Sequence, residues 1–319
     1  MRNKLVFFFC LLALAGCGGG AGKRGGSVTI ATLKGPSSMG MIQYIDSVDN
    51  APHSNVKVMI LNEPMQVRKM MLDGTADFAV LPTTMAAVLY NKGLDYKMVS
   101  VPVWGTFYLF GNDSTVKGWD DLRGKRVNVM ARGMTPDALF RYLLERNGLD
   151  PERDLTLDYS FPTHIDLANA VAAERVSLGV VSEPYVSLAM RKNNHIHIIL
   201  DLNAEWNKVQ GIPIAETAFI GKDSVLKSDA GFVKKLEAAY AYSTKWVNEH
   251  PDSAAVLMVK YGLLPDVATA RSSIPRSNLE YVSARGIERE IGDYLNIFYE
   301  LNPEFVGGKI PDENFYYEK

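Results

Sequence analysis

The chain alternates short β-rich runs with turn-bounded amphipathic segments, and it does so twice. That alternation constrains its fold more than any other feature. Val28-Thr29-Ile30-Ala31 reads as a strand, and Lys34-Gly35-Pro36-Ser37-Ser38 as a turn into a helix with Met39, Ile42 and Ile45 on one face. Residues 56–61 read as a second strand, Val67, Met70 and Met71 as a short helix closed by Gly74, and 77–81 as a third strand before Pro82-Thr83-Thr84 opens a helix. The order returns about a hundred residues later. Strand 126–130 leads through Gly133-Met134-Thr135-Pro136 into a helix with Ala138, Tyr142, Leu143 and Leu149 on its stripe. Strand 155–161, helix 167–174, strand 178–181 ending Ser182-Glu183-Pro184, and strand 195–200 follow. Strand–helix–strand repetition builds mostly parallel sheets with helices on their faces. The expected fold class is therefore α/β in two lobes, each a mostly parallel sheet flanked by helices.

Two extended crossings, 99–110 through Trp104-Gly105-Thr106 and 212–221, flank the second half. They predict a hinge, with lobe 1 built from 27–111 and 212–319 and lobe 2 from 112–211. The remainder from 228 reads as helical and belongs to lobe 1. Ser228 or Asp229 is placed to cap a helix bearing Phe232, Leu236 and Tyr240, and Ile287, Ile291, Tyr294, Leu295 and Phe298 form another stripe.

With 319 residues, 47% of them hydrophobic, the chain can bury a large core. Its 34 Lys+Arg against 36 Asp+Glu leave no basic footprint for nucleic acid. Two cysteines supply neither a disulfide framework nor a four-cysteine zinc site. One of them closes the N-terminal segment. Arg2 and Lys4 precede an apolar stretch, 5–15, too short to span a membrane, and Leu14-Ala15-Gly16-Cys17 leads into Gly18-Gly19-Gly20. This pattern resembles a bacterial lipoprotein signal: 1–16 is removed, Cys17 becomes the lipidated first residue, and 17–26 is a tether. Cys10 leaves with the signal, so the body beyond Cys17 has no thiol. That excludes cysteine nucleophiles, thiolate metal sites and redox pairs within the fold, and it suits an extracytoplasmic compartment.

Two turns stand out as ligand sites. In Lys34-Gly35-Pro36-Ser37-Ser38 the proline fits a first helical turn and the serines can cap free N–H groups. In Arg132-Gly133-Met134-Thr135-Pro136-Asp137, Thr135 reads as the N-cap and Pro136 as the first helical residue. Both turns follow the carboxyl end of a strand, where open α/β sheets bind ligands, and helix N-termini suit an anionic or polar group. Asn62-Glu63, Pro82-Thr83-Thr84 and Ser182-Glu183-Pro184 end further strands, while Trp104 and Phe161 offer aromatic walls. Lys34 and Arg132 favour an anion, whereas Glu63, Glu183 and Asp137 can receive an amine. His195-Ile196-His197 has no cysteine or evident carboxylate partner, so no metal site is expected. No Gly-x-Ser-x-Gly elbow, His-Glu-x-x-His or phosphate loop occurs, and no catalytic residue or cofactor is expected.

Leu33-Lys34-Gly35-Pro36, Asp77-Phe78-Ala79-Val80, Trp119-Asp120-Asp121-Leu122-Arg123-Gly124-Lys125-Arg126-Val127, Glu183-Pro184 and Gly307-Gly308-Lys309-Ile310-Pro311 resemble the nitrate/sulfonate/taurine and thiamine-precursor family of periplasmic substrate-binding proteins. The resemblance runs over roughly 27–319. It implies a two-lobed type II periplasmic-binding-protein fold that closes on a small organic ligand. The ligand is a sulfonate-, nitrate- or taurine-like anion or a thiamine-precursor pyrimidine, delivered to an ABC permease and its ATPase. A monomer without enzymatic activity is expected. Two alternatives remain open: a solute receptor of a TRAP-type transporter, and an enzyme like that of yeast thiamine-pyrimidine synthesis, whose cysteine-rich motif is absent here.

Overall fold

The computed structural model describes residues 27–130 and 132–318. The signal segment, Cys17 and the tether lie outside the described residues. Eleven strands are formed among those described: β1 (Val28–Leu33), β2 (Val56–Leu61), β3 (Phe78–Pro82), β4 (Tyr96–Val103), β5 (Phe107–Gly111), β6 (Arg126–Val129), β7 (Thr156–Asp158), β8 (Leu178–Ser182), β9 (His197–Asp201), β10 (Thr217–Lys222) and β11 (Leu279–Ser283). They make two sheets, ordered β11-β4-β10-β3-β1-β2 and β7-β6-β8-β5-β9, with helices flanking both.

Each sheet has a parallel half built by the expected repeats. In the first, β1 pairs parallel with β2 and β3; in the second, β6 pairs parallel with β7 and β8. The strands next to the crossings enter in the opposite direction: β10 is antiparallel to β3 and β4, and β5 to β8 and β9. Both sheets are therefore mixed. The single extended run expected at 99–110 is broken at Trp104-Gly105-Thr106, where the chain passes from β4 in one sheet to β5 in the other. β5 thus belongs with the second sheet, and the change of sheet falls before 107 rather than at 111. Gly105 makes the break possible. Its φ is 71°, and an added Cβ would lie 2.3 Å from Asn203 Oδ1.

Two local readings shift. The run 155–161 pairs only over Thr156–Asp158, because Asp158 Oδ1 accepts the Ser160 N–H at 2.9 Å and turns the chain. The strand expected at 195–200 begins at His197, since Asn193 Oδ1 accepts the His195 N–H at 2.9 Å. The long helix Ala230–Glu249 is capped by the second of its two candidates, Asp229, which accepts the Phe232 N–H at 2.9 Å.

The core does not stop at the lobe boundary. Trp206, fully buried on the helix Leu202–Gln210 after β9, meets Tyr142 at 5.5 Å. On its other side lie Tyr294 at 5.9 Å and Phe298 at 6.3 Å, both from the helix Glu288–Leu301. The C-terminal stripe read from the sequence thus packs partly against the second lobe. Burying a side chain of this size contributes several kcal/mol, on the order of 3 to 5 by the cost of truncation.

A candidate ligand cleft between the sheets

A cavity of about 990 Å³ lies between the two sheets. Its walls come from both. β1 contributes Leu33, and Lys34, Pro36 and Ser37 follow it; Asn62 and Glu63 follow β2; Pro82 ends β3, and Thr84 follows it. From the second sheet come Met130, Gly133, Met134 and Thr135 after β6, and Ser182 at the end of β8. These are carboxyl ends of strands, the place where the chain leaves the ladder and its side chains are free to face a ligand.

Of the sequence candidates, Lys34, Pro36, Ser37, Asn62, Glu63, Pro82, Thr84, Gly133, Met134, Thr135, Pro136 and Ser182 line the cavity. Gly35, Ser38, Thr83, Trp104, Arg132, Phe161 and Glu183 do not. Gly35 and Ser38 hold the first turn, Ser38 Oγ donating to Gly35 O at 3.1 Å and accepting its N–H at 3.2 Å. Thr83 is fully buried behind the wall. Trp104 donates to Glu280 O at 2.9 Å and faces a separate shallow groove with Asn248 and Pro275. Arg132 is exposed and lies 5.3 Å over the Tyr159 ring, and Phe161 is covered by Arg175 at 6.0 Å.

Glu183 is fully buried and bound to Arg276 Nε at 2.5 Å, to the Ser187 hydroxyl at 2.9 Å and to the Ser187 N–H at 3.1 Å. Arg276 also donates to the Ser187 hydroxyl, and its carbonyl accepts from Tyr108 OH at 3.0 Å. Glu183 therefore ties the segment before β11 to the second sheet and leaves no carboxylate free for a ligand amine. Burial pushes its carboxyl upward, and the Arg276 charge opposes that.

The helix-opening reading needs two corrections. The helix Pro36–Gly40 is only five residues long, too short to present a dipole of its own. In the helix Thr135–Arg146 the N-cap is Met134, with Thr135 and Pro136 inside the first turn. Thr135 is not capping: its hydroxyl meets that of Thr84 at 2.9 Å, across the cleft. Asp137 braces this turn, accepting from Gly133 N–H at 2.7 Å, Arg141 Nε at 2.9 Å and Tyr159 OH at 2.7 Å. It is satisfied internally and does not line the cavity.

The cavity also has residues that the sequence reading missed. Arg68 lies on the helix Pro64–Leu72, one turn past Pro64, and its buried Nε has no partner. Neither Arg68 nor Lys34 has an acidic partner among the described residues. Glu216 precedes β10, where both its oxygens accept from Thr106 Oγ1 at 3.0 Å. Burial pushes its carboxyl up to about 7, against the Thr106 hydrogen bonds. The adjacent Thr217 hydroxyl is buried without a partner. His164 accepts the Ser182 N–H at Nδ1 (3.3 Å) and stacks on Tyr185 at 5.5 Å. Burial lowers it to about 4, so it is a neutral ring at neutral pH. Aromatic walls therefore exist, but they are Phe107, Phe305 and the His164–Tyr185 stack rather than Trp104 and Phe161. No local sequence signal marks Glu216 and Thr217: it is the antiparallel register of β10 that sets Thr217 opposite Pro82 at the strand ends of the first sheet.

Among the described residues no group of three or more His, Cys, Asp or Glu is arranged to hold a metal ion, and no helix is long and apolar enough to cross a membrane.

Two mixed sheets joined by paired crossings around a cavity define the two-lobed class of periplasmic binding proteins. The chain belongs to the NMT1/THI5-like family, which matches residues 52–254. A solved structure of an ABC transporter protein from Parabacteroides distasonis is 28% identical, with a TM-score of 0.79 over 92% of this chain and 99% of that one. The periplasmic aliphatic sulphonate-binding protein SsuA of Escherichia coli shares the fold at 16% identity, with a TM-score of 0.71 over 92% and 94% of the two chains. The periplasmic nitrate-binding protein NrtA of Synechocystis does so at 14% identity, with a TM-score of 0.62 over 86% and 81%. Bacillus subtilis YtlA, named as a candidate binding protein, is 28% identical over 146 residues. That match spans 46% of this chain and 42% of YtlA. By their names these relatives are binding proteins and transport components.

Proposed function

We propose that the chain is an extracytoplasmic solute-binding lipoprotein of an ABC importer. It takes up a small organic molecule between its lobes and presents it to a membrane permease driven by an ATPase. The observation that carries this reading is the cavity of about 990 Å³ walled by strand ends of both sheets. Unpartnered polar groups line it, and the Thr84–Thr135 contact bridges it. A pocket of that size is at the upper end of the range of about 300–1,000 Å³ for small-molecule sites. The hinge lies at 104–106 and 212–216, and the lobes close over the solute. Lys34 and Arg68 favour an anionic group, and Glu216 with Thr217 offers a polar contact for a ring nitrogen or hydroxyl. Cys17 carries the lipid anchor that keeps the receptor near its permease. The relatives named as ABC transport and sulphonate- or nitrate-binding proteins support the transport role.

The test is mass spectrometry of small molecules released from protein purified without denaturation, followed by thermal shifts with sulfonates, pyrimidines and flavin precursors. A true solute at about a hundred times its Kd adds roughly 2.7 kcal/mol of stability. Failure to find either a released solute or a stabilising compound would overturn the reading.

A further inference from the structure

Residues 276–278 leave the short helical turn Ile274–Arg276 and lead into β11, the edge strand of the first sheet. Their hydrogen bonds nevertheless run to the crossing at 104–106 and to the second sheet beyond it. The Trp104 N–H donates to Asn278 O at 3.1 Å, and Asn278 Nδ2 donates to Gly105 O at 2.5 Å. Past the crossing, Tyr108 OH on β5 donates to Arg276 O at 3.0 Å. The Arg276 guanidinium reaches Glu183 at 2.5 Å and the Ser187 hydroxyl, just after β8. The Glu183 N–H returns to the crossing, donating to Thr106 O at 2.9 Å. Asn278 holds a φ of 43°, the left-handed region that asparagine tolerates better than most residues. From there its carbonyl and its side-chain amide both engage the crossing. Tyr108, Glu183, Ser187, Arg276 and Asn278 all lie outside the cavity wall, so a solute does not account for these bonds. The two sheets' helices also meet at Trp206, but apolar packing is non-directional and tolerates a change of angle, whereas hydrogen bonds fix one.

We propose that 276–278 is a third, non-covalent strand of the hinge. Two covalent crossings alone leave the second lobe free to twist as well as to close. A third attachment beside one of them suppresses the twist and keeps the closing motion. Tyr108, Arg276 and Asn278 are then positioning residues: they touch no solute, but they bring the strand ends of the two lobes into register each time the cleft shuts. The inference rests on the two-lobed hinge of the proposed function and not on any particular solute.

The test is the distance distribution between two spin labels on the full chain, read by double electron–electron resonance after refolding from guanidinium chloride has stripped bound molecules. Labels go at Tyr242→Cys on the helix Ala230–Glu249 and Glu145→Cys on the helix Thr135–Arg146, both exposed, with Cys10→Ser and Cys17→Ser removing the native thiols. The parent gives a narrow distribution. Asn278→Gly, which keeps the backbone at ease and loses the bond to Gly105, broadens it, as does Tyr108→Phe. Together they widen it roughly twofold. Tyr261→Phe, which loses hydroxyl contacts to Asp46 and Asp49 within the first lobe, keeps the parent's width. Thermal melts confirm folding, and each single variant decides the matter without the double one. A broad distribution in the parent, an unchanged width in both strap variants, or equal broadening in Tyr261→Phe overturns the inference. None of these outcomes bears on whether a solute is bound, which the released molecule decides.

Discussion

Glu216→Gln isolates the energetic cost of a buried carboxyl group held beside Thr106, where the chain crosses between the two sheets. In the folded chain the group is pushed up to about 7 from an ordinary 4.5, chiefly by burial, with Thr106 donating against that trend. The unfolded chain releases this proton from about pH 4.5 upward, whereas the folded chain keeps it until about pH 7. Between those values the folded state binds more protons, so stability falls as pH rises. The contribution is complete below the unfolded value and lost above the folded one. At about 1.36 kcal/mol per unit, the full loss is on the order of 3 kcal/mol, with about 1 kcal/mol of it already gone at pH 5. Glutamine keeps the shape and an acceptor for Thr106 but never ionises. Glu216→Gln is therefore more stable than the wild type by about 1 kcal/mol at pH 5 and about 3 kcal/mol at pH 8. Urea unfolding of both proteins at several pH values measures the difference, and other titrating groups, His164 among them, cancel between the two. An offset that does not change between pH 5 and pH 8 would refute the reasoning, because it would mean that Glu216 ionises in the folded chain as it does in water.

Arg276→Met strands the buried Glu183 carboxyl and lowers stability by about 3–5 kcal/mol, and adding Glu183→Gln recovers part of that loss in the same urea assay. Thr84→Val removes the hydroxyl contact across the cleft, worth about 1 kcal/mol, and weakens solute binding about fivefold by calorimetry. Thr135→Val does the same, and the double variant is no weaker than either single one, since both act on one contact. Cys17→Ser abolishes incorporation of radiolabelled fatty acid in cells and releases the protein from the membrane fraction; equal labelling with and without Cys17 counts against the anchor.

The repeats were legible because hydrophobic periodicity and turn residues act locally. Val28 and Val56 begin strands where their runs and bounding turns place them, and the third strand begins at Phe78, one residue after the expected start. The direction of β5 and β10 was not legible, because it depends on which lobe the chain has just left. The site divides the same way. Lys34, Asn62, Glu63 and Thr135 were found as strand-end residues, and they line the cavity. Glu183 occupies a similar strand end, yet it is consumed by Arg276, a partner 93 residues away that no local pattern announces. Arg68 was missed because its role comes from a helix turning its face to the cleft. Trp104 does not line the cavity whereas Phe107, which the sequence reading did not name, does, because the break at Gly105 carries the chain from one sheet to the other between them.

The central claim is that one solute is held by both lobes at once. Amide hydrogen exchange with and without the solute released from the native protein tests it most directly. The account predicts that saturating solute protects 63–68 and 216–218 on one side together with 133–137 on the other. Protection confined to one lobe, or located away from these three segments, would contradict it.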